Sequence, residues 1–106
     1  MSEWKIVLTP ESEQEIRDIY AYIANALLVP ETAKKQVARI LDGIGSLDEM
    51  PMRFSLTDRE PWRSRGLRKF AVDNYVVFYY PNEQQKEVVI FHVFYGARDM
   101  DNLLGK

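Results

Sequence analysis

The residues best equipped for chemistry in this chain are cations. Arg53, Arg59, Arg63, Arg65, Arg68 and Lys69 fall within seventeen positions, interleaved with Phe54, Trp62 and Phe70. Guanidinium groups grip carboxylates and phosphates through paired hydrogen bonds, and rings between them add stacking surface. Two readings follow: a solvated loop whose charges keep the protein soluble, or a surface for an anionic partner. The sole histidine, His92, lies inside the most apolar stretch. Within the core or sheet it is a satisfied packing residue; facing solvent, it is a proton carrier near neutral pH. A third polar feature is Tyr95-Gly96-Ala97-Arg98-Asp99, where a turn glycine precedes an Arg-Asp pair. That pair either pins the C-terminal segment or presents Arg98.

Other chemistries are excluded by composition. With no Cys, the chain has no disulfides, no thiolate zinc site and no thiol nucleophile. One His without Cys leaves no tight transition-metal site, so neither metal nor cofactor is expected. Serine-hydrolase, zinc-protease, phosphate-loop and EF-hand signatures are missing. The glycines are scattered and suit turns and element ends. The net charge is −2, but its distribution is uneven: residues 1–49 hold 5 basic and 9 acidic side chains, residues 50–69 hold 6 and 2, and residues 70–106 hold 3 and 5. The basic charge thus belongs to one segment.

The elements that must position these residues follow from periodicity. A length of 106 residues with 46% hydrophobic side chains makes one domain, 1–106, with a real core. No run reaches about 18 apolar residues and the N-terminus lacks the pattern of a signal peptide, so a cytoplasmic protein without a membrane anchor is expected. Residues 4–8 (WKIVL) read as a strand, and Thr9-Pro10 as the N-cap and first position of a helix. Glu11, Glu13 and Glu15 then suit the first turns, where the helix terminus favours carboxylates. Ile16, Ile19, Tyr20, Ile23 and Leu27 form one apolar stripe. Leu28-Val29-Pro30 interrupts it, and Ala33, Val37, Ile40, Leu41, Ile44 and Leu47 form a second stripe on an antiparallel partner, whose last turns Gly43 and Gly45 weaken. Residues 49–65 sustain neither period and form a long loop, a length that counts toward function. Residues 67–72, 75–80 and 87–95 read as three strands of an antiparallel meander, with 76–78 central and covered on both faces. The fold class is α+β, in the order β-α-α-β-β-β, with the helical hairpin packed on an antiparallel sheet.

With that order of elements, the C-terminal half resembles the RelE/ParE-type toxins of bacterial type II toxin-antitoxin systems. The carriers are Leu67-Arg68, Tyr75-Val-Val-Phe-Tyr79, Val88-Val-Ile, Val93-Phe-Tyr-Gly-Ala-Arg98-Asp99 and Leu103-Leu104. The resemblance implies a growth-inhibiting toxin, a cognate antitoxin partner and a toxin-antitoxin hetero-oligomer. It implies one of two targets: DNA gyrase, poisoned without hydrolysis, or the ribosome and its mRNA, cleaved by an endonuclease. RNA cleavage needs a base for the ribose hydroxyl, cations for the phosphorane and an acid for the leaving oxygen. By resemblance, Arg68 or Lys69 would fill the basic position of the second strand and Arg98 the arginine after the last strand. Val76 and Leu104 stand where the ribonuclease branch has an arginine and a tyrosine, which leaves His92 or Tyr95 as substitute acids. The Gly-Ala-Arg-Asp exit and Leu-Leu tail are closer to the ParE branch, so gyrase poisoning is the expected activity and the endonuclease the alternative. For either, Arg63, Arg65, Arg68, Lys69 and Arg98 are the expected target- or antitoxin-binding residues.

Overall fold

The computed structural model describes residues 4–96. Strand β1 (Lys5–Leu8) leads into helix α1 (Pro10–Ala21), a π-helical turn (Tyr22–Ala26) and helix α2 (Pro30–Gly45). Strands β2 (Arg68–Val72), β3 (Tyr75–Asn82) and β4 (Glu87–Tyr95) follow. The helical hairpin, the loop and the three-stranded meander lie where the periodicity places them.

Thr9 explains how the first two elements are joined. Its Oγ1 accepts from the Ser12 N–H at 3.1 Å, capping α1, and donates toward the carbonyls of Ile90 and Phe91 at 3.0 and 3.2 Å. Thr9 ties the end of β1 to the middle of β4, and at the other end the Lys5 N–H donates to the Lys86 carbonyl at 2.9 Å, so β1 runs alongside β4 in the same direction. The sheet order is β1-β4-β3-β2, with Lys5 opposite Glu87 and Leu8 opposite Ile90 in parallel register. The meander is antiparallel as expected, but the whole sheet is mixed. Four residues of WKIVL carry no signal for pairing direction; the contact with β4, some eighty positions away, supplies it.

The apolar stripe of α1 is cut short for a local reason. Ile16 and Ile23 are buried, whereas Tyr20 is at the surface and Leu27 is 52% exposed. The Leu27 N–H bonds to the Tyr22 carbonyl, five residues back, and this wider turn rotates Leu27 off the stripe. Leu28 then takes a left-handed φ of 59° and is exposed. On α2 the core face is Ala33, Ile40 and Ile44, with Leu47 just beyond; Leu41 faces outward, contrary to its place in the stripe. Gly43 lets α2 approach the sheet: a Cβ there would lie 3.0 Å from the Phe70 ring and 3.2 Å from Val72.

The principal core lies between the hairpin and one sheet face, where Ile40, Leu47, Val77, Tyr79, Val88 and Ile90 are inaccessible to solvent. The Tyr79 hydroxyl donates to the Pro51 carbonyl at 2.7 Å, and burial pushes that phenol above its ordinary range. The opposite face carries a second cluster of Leu67, Phe78 and Phe94. β3 is therefore central and covered on both faces. Between β3 and β4, Phe78 faces His92 and Tyr79 faces Ile90, so Phe91 is the extra residue of a β-bulge.

Candidate functional site

The arginine-rich segment is tied down by its own guanidinium groups. Arg53 Nη1 donates to the carbonyls of Ser46 at 3.1 Å and Glu49 at 2.8 Å. Arg63 Nη1 donates to the Thr57 carbonyl at 3.2 Å, and Arg68 Nη1 to those of Met52 at 3.1 Å and Phe54 at 2.6 Å. Charged donors bond well to carbonyls that the loop does not pair internally. The cation cluster read from the sequence is thus partly tethered to its own backbone, with Arg63 and Arg68 each using Nη1 for it.

Arg68 and Lys69 are also separated by the sheet. Arg68 lies opposite Tyr79, a core residue on the helix side, while Lys69 lies opposite Phe78 on the other face. Adjacent strand residues alternate between faces, so these two cations do not form one set. Lys69, Phe78 and His92 occupy one row across three strands, and two inter-strand steps put Lys69 and His92 about 10 Å apart. Arg98, and with it Leu103 and Leu104, lies outside the described residues.

His92 is held in place. Its Nδ1 lies 2.8 Å from Glu15 Oε2, and its ring stacks on Phe94 with centroids 4.6 Å apart. The same carboxylate accepts the Val93 N–H through Oε1 at 2.9 Å. Glu15 was legible only as a charge suited to the start of α1; its role depends on β1 ending at Leu8. From there on no strand among the described residues lies on that edge of β4, and Glu15 supplies the acceptor for the Val93 N–H. Tyr95 is 46% exposed and packs edge-on against Tyr75 on the helix side. Tyr95 and His92, three residues apart, therefore face opposite ways. Burial pushes the Tyr75 phenol up, with Tyr95 and Tyr22 adding to the effect.

Two concave surfaces among the described residues are each lined by three aromatic side chains. The larger, about 770 Å³, lies between α1, the π-helical turn, the start of α2 and the ends of β3 and β4. Ile19, Tyr22, Leu27, Val29, Tyr75 and Tyr95 give it an apolar wall; Glu15 and Asp18 line it, and among the described residues no Lys or Arg does. It exists because β1 is short and because the π-helical turn swings Leu27 outward. Sequence periodicity missed it, since Leu27 reads as core. The smaller, about 380 Å³, lies on the opposite sheet face and is lined by Trp62, Arg65, Leu67, Tyr80 and Phe91. There the Arg65 guanidinium sits 5.3 Å from the Trp62 ring centroid.

Among the described residues no three His, Cys, Asp or Glu side chains gather to hold a metal ion, and no helix is long and apolar enough to cross a membrane. Neither concavity arranges a nucleophile beside a base.

Comparison with known proteins places this architecture. The family model described as ParE toxin of type II toxin-antitoxin system, parDE, matches residues 6–100. No curated protein sequence matches the chain. Among solved structures, the chromosomal ParDE toxin-antitoxin system from P. aeruginosa is similar with a TM-score of 0.72 and 19% identity, over 88% of this chain and 96% of that one. The RelBE2 toxin-antitoxin complex from Mycobacterium tuberculosis gives 0.64 and 17%, over 88% and 98%. The RelE-RelB complex from Pyrococcus horikoshii OT3 gives 0.61 and 14%, over 92% and 99%. At such identities the structural likeness establishes the fold.

Proposed function

The chain belongs to the ParE toxin family of type II toxin-antitoxin systems, and from that premise we propose that it arrests growth by docking on DNA gyrase rather than by cutting a bond. The observation that carries this reading is the dispersal of the candidate groups: Lys69 stands about 10 Å from His92 along one sheet face, and Arg68 lies on the other. Arg68 is also bound by the loop carbonyls. Binding accounts for what the surfaces offer without asking these groups for a second role.

A cognate antitoxin neutralises the toxin in this reading, as the solved neighbours are themselves toxin-antitoxin complexes. Its apolar segment fits the groove along Ile19, Tyr22, Leu27 and Tyr95. Asp18 is exposed on that groove, where no described Lys or Arg lies, so the occupant suits it best if it carries Lys or Arg beside its apolar residues. In this reading the toxin is held inactive in a cytoplasmic hetero-oligomer and acts once the antitoxin is removed.

The ribosome-dependent endonuclease is the second reading, and one observation favours it: Lys69 projects from the sheet face that also carries His92. Expression without antitoxin separates the two. A gyrase poison gives trapped gyrase cleavage complexes and filamentous cells. Codon-phased cuts, mapped by primer extension on cellular messages, would replace the docking reading with the endonuclease.

A further inference from the structure

The smaller concavity is not needed by the groove or by the core, yet it is built from the residues that favour protein recognition. Leu67 forms a floor at 2% exposure. Trp62 and Phe91 stand over it with centroids 5.6 Å apart, and Tyr80 meets Phe91 at 6.4 Å. Trp62, Tyr80 and Phe91 are each only partly buried, so apolar ring surface is left facing water. The bulge creates the site: as the unpaired residue of β4, Phe91 turns toward Trp62.

The charge at this site is what the loop leaves over. Arg53, Arg63 and Arg68 donate to backbone carbonyls. Arg65, exposed like Arg53 and Arg63, instead has its guanidinium over the Trp62 ring at the rim. Among the described residues no carboxylate lines the pocket. We infer that this pocket docks an acidic segment of the protein that the toxin inhibits, seating one apolar or aromatic side chain between Trp62, Tyr80 and Phe91 and a carboxylate on Arg65. Aromatic walls and a rim arginine are the residue types that dominate binding energy at protein interfaces. A nucleic acid fits less well, since its affinity grows with the number of phosphates neutralised. On this face the pocket offers Arg65, with Lys69 further along the sheet. The pocket lies on the opposite sheet face from the acid-lined groove, so it serves a partner other than the segment seated there.

This assignment rests on the docking reading, with gyrase as the target. The experiment uses the full chain carrying Trp4→Phe, which leaves Trp62 as the only indole, titrated with purified gyrase holoenzyme and, separately, with a ten-nucleotide oligo-dT. Gyrase is expected to change the Trp62 emission and Arg65→Glu to weaken binding at least tenfold. Arg65→Lys should retain most of it. Lys86→Glu, an equal charge change at an exposed cation over the Trp4 side of the molecule, should leave it unchanged. Retained antitoxin binding by Arg65→Glu shows that this variant is folded. If Arg65→Glu binds and poisons gyrase like the parent, the pocket assignment fails while the docking reading stands. If oligo-dT rather than gyrase produces the Arg65-dependent response, the pocket is a nucleic-acid platform and the assignment fails. Absence of gyrase binding by the parent chain removes the docking reading and the pocket assignment together.

Discussion

The groove beside α1 and the pocket under Trp62 lie on opposite faces of one sheet and have opposite charge. The groove arises where elements fall short: β1 stops at Leu8, the π-helical turn turns Leu27 outward, and Glu15 supplies the acceptor for the Val93 N–H on the edge of β4. The pocket arises where there is an excess, a bulged Phe91 and a loop long enough to bring Trp62 over the sheet. In the groove Asp18 stays exposed, while both oxygens of Glu15 are taken up by His92 and the Val93 N–H. Around the pocket the loop keeps its positive charge, but part of the hydrogen-bonding capacity of Arg53, Arg63 and Arg68 is consumed by backbone carbonyls. A count of charges in a segment therefore does not tell which of them are tethered and which are offered.

The comparison can be broken most forcefully through the groove. Leu27→Glu, which puts a charge on the apolar wall, is expected to lower antitoxin affinity at least 100-fold, about 3 kcal/mol, while Arg65→Glu changes it by less than about threefold, or 0.7 kcal/mol. Calorimetric titration of each variant with the antitoxin measures both. Equal losses would mean that the two surfaces serve one partner.

Next in size is the edge lock. Glu15→Ala strands the Val93 N–H and the His92 ring, and is expected to cost about 2 kcal/mol of stability in urea unfolding. Glu15→Gln keeps an acceptor oxygen and should lose less than half of that. If the two variants are equally unstable, the carboxylate charge rather than the hydrogen bond to β4 holds this edge.

The distinction between consumed and offered arginines predicts a smaller pair of effects. Arg68→Ala leaves the carbonyls of Met52 and Phe54 without their donor and should cost about 1.5 kcal/mol, whereas exposed Arg65→Ala should stay within about 0.5 kcal/mol. Equal costs would erase the contrast drawn within the loop.

The smallest effect is seen with pH, and it concerns the core that separates the two surfaces. Tyr79 is raised above the usual phenol value, mainly by burial. Its contribution to stability is therefore complete below the unfolded value of about 10 and is lost as pH rises through the folded value. Thermal unfolding should be flat in this respect near neutrality and fall above about pH 10. Tyr79→Phe should flatten that alkaline fall. An unaltered fall in the variant would assign it to other groups.

Much of the fold was legible because it is local. Thr9-Pro10 marked the start of α1, Pro30 the start of α2, and the continuous apolar runs marked β3 and β4. The site was less legible. Leu27 and Leu41 fit the stripes yet lie outside the core, since a stripe assumes an unbroken 3.6-residue period and says nothing about where the sheet ends beneath it. Gly43 reads as a weak point in a helix, but what it provides is room for Phe70. Glu15 reads as a helix-terminus charge. Its partners on β4 are 77 and 78 positions away, and no pattern within α1 names them.

The amino-acid sequence by itself determined the order of elements, the helical hairpin, the antiparallel meander and the family, since these depend on local periodicity, caps and a run of motifs in fixed order. Only the tertiary structure decided that β1 pairs in parallel, that Arg68 and Lys69 point to opposite faces, that His92 is held by Glu15, and that acidic and basic concavities stand back to back. Each of these depends on a meeting between residues far apart in the chain, whose geometry is fixed by packing the hairpin and the loop on the two faces of the same sheet.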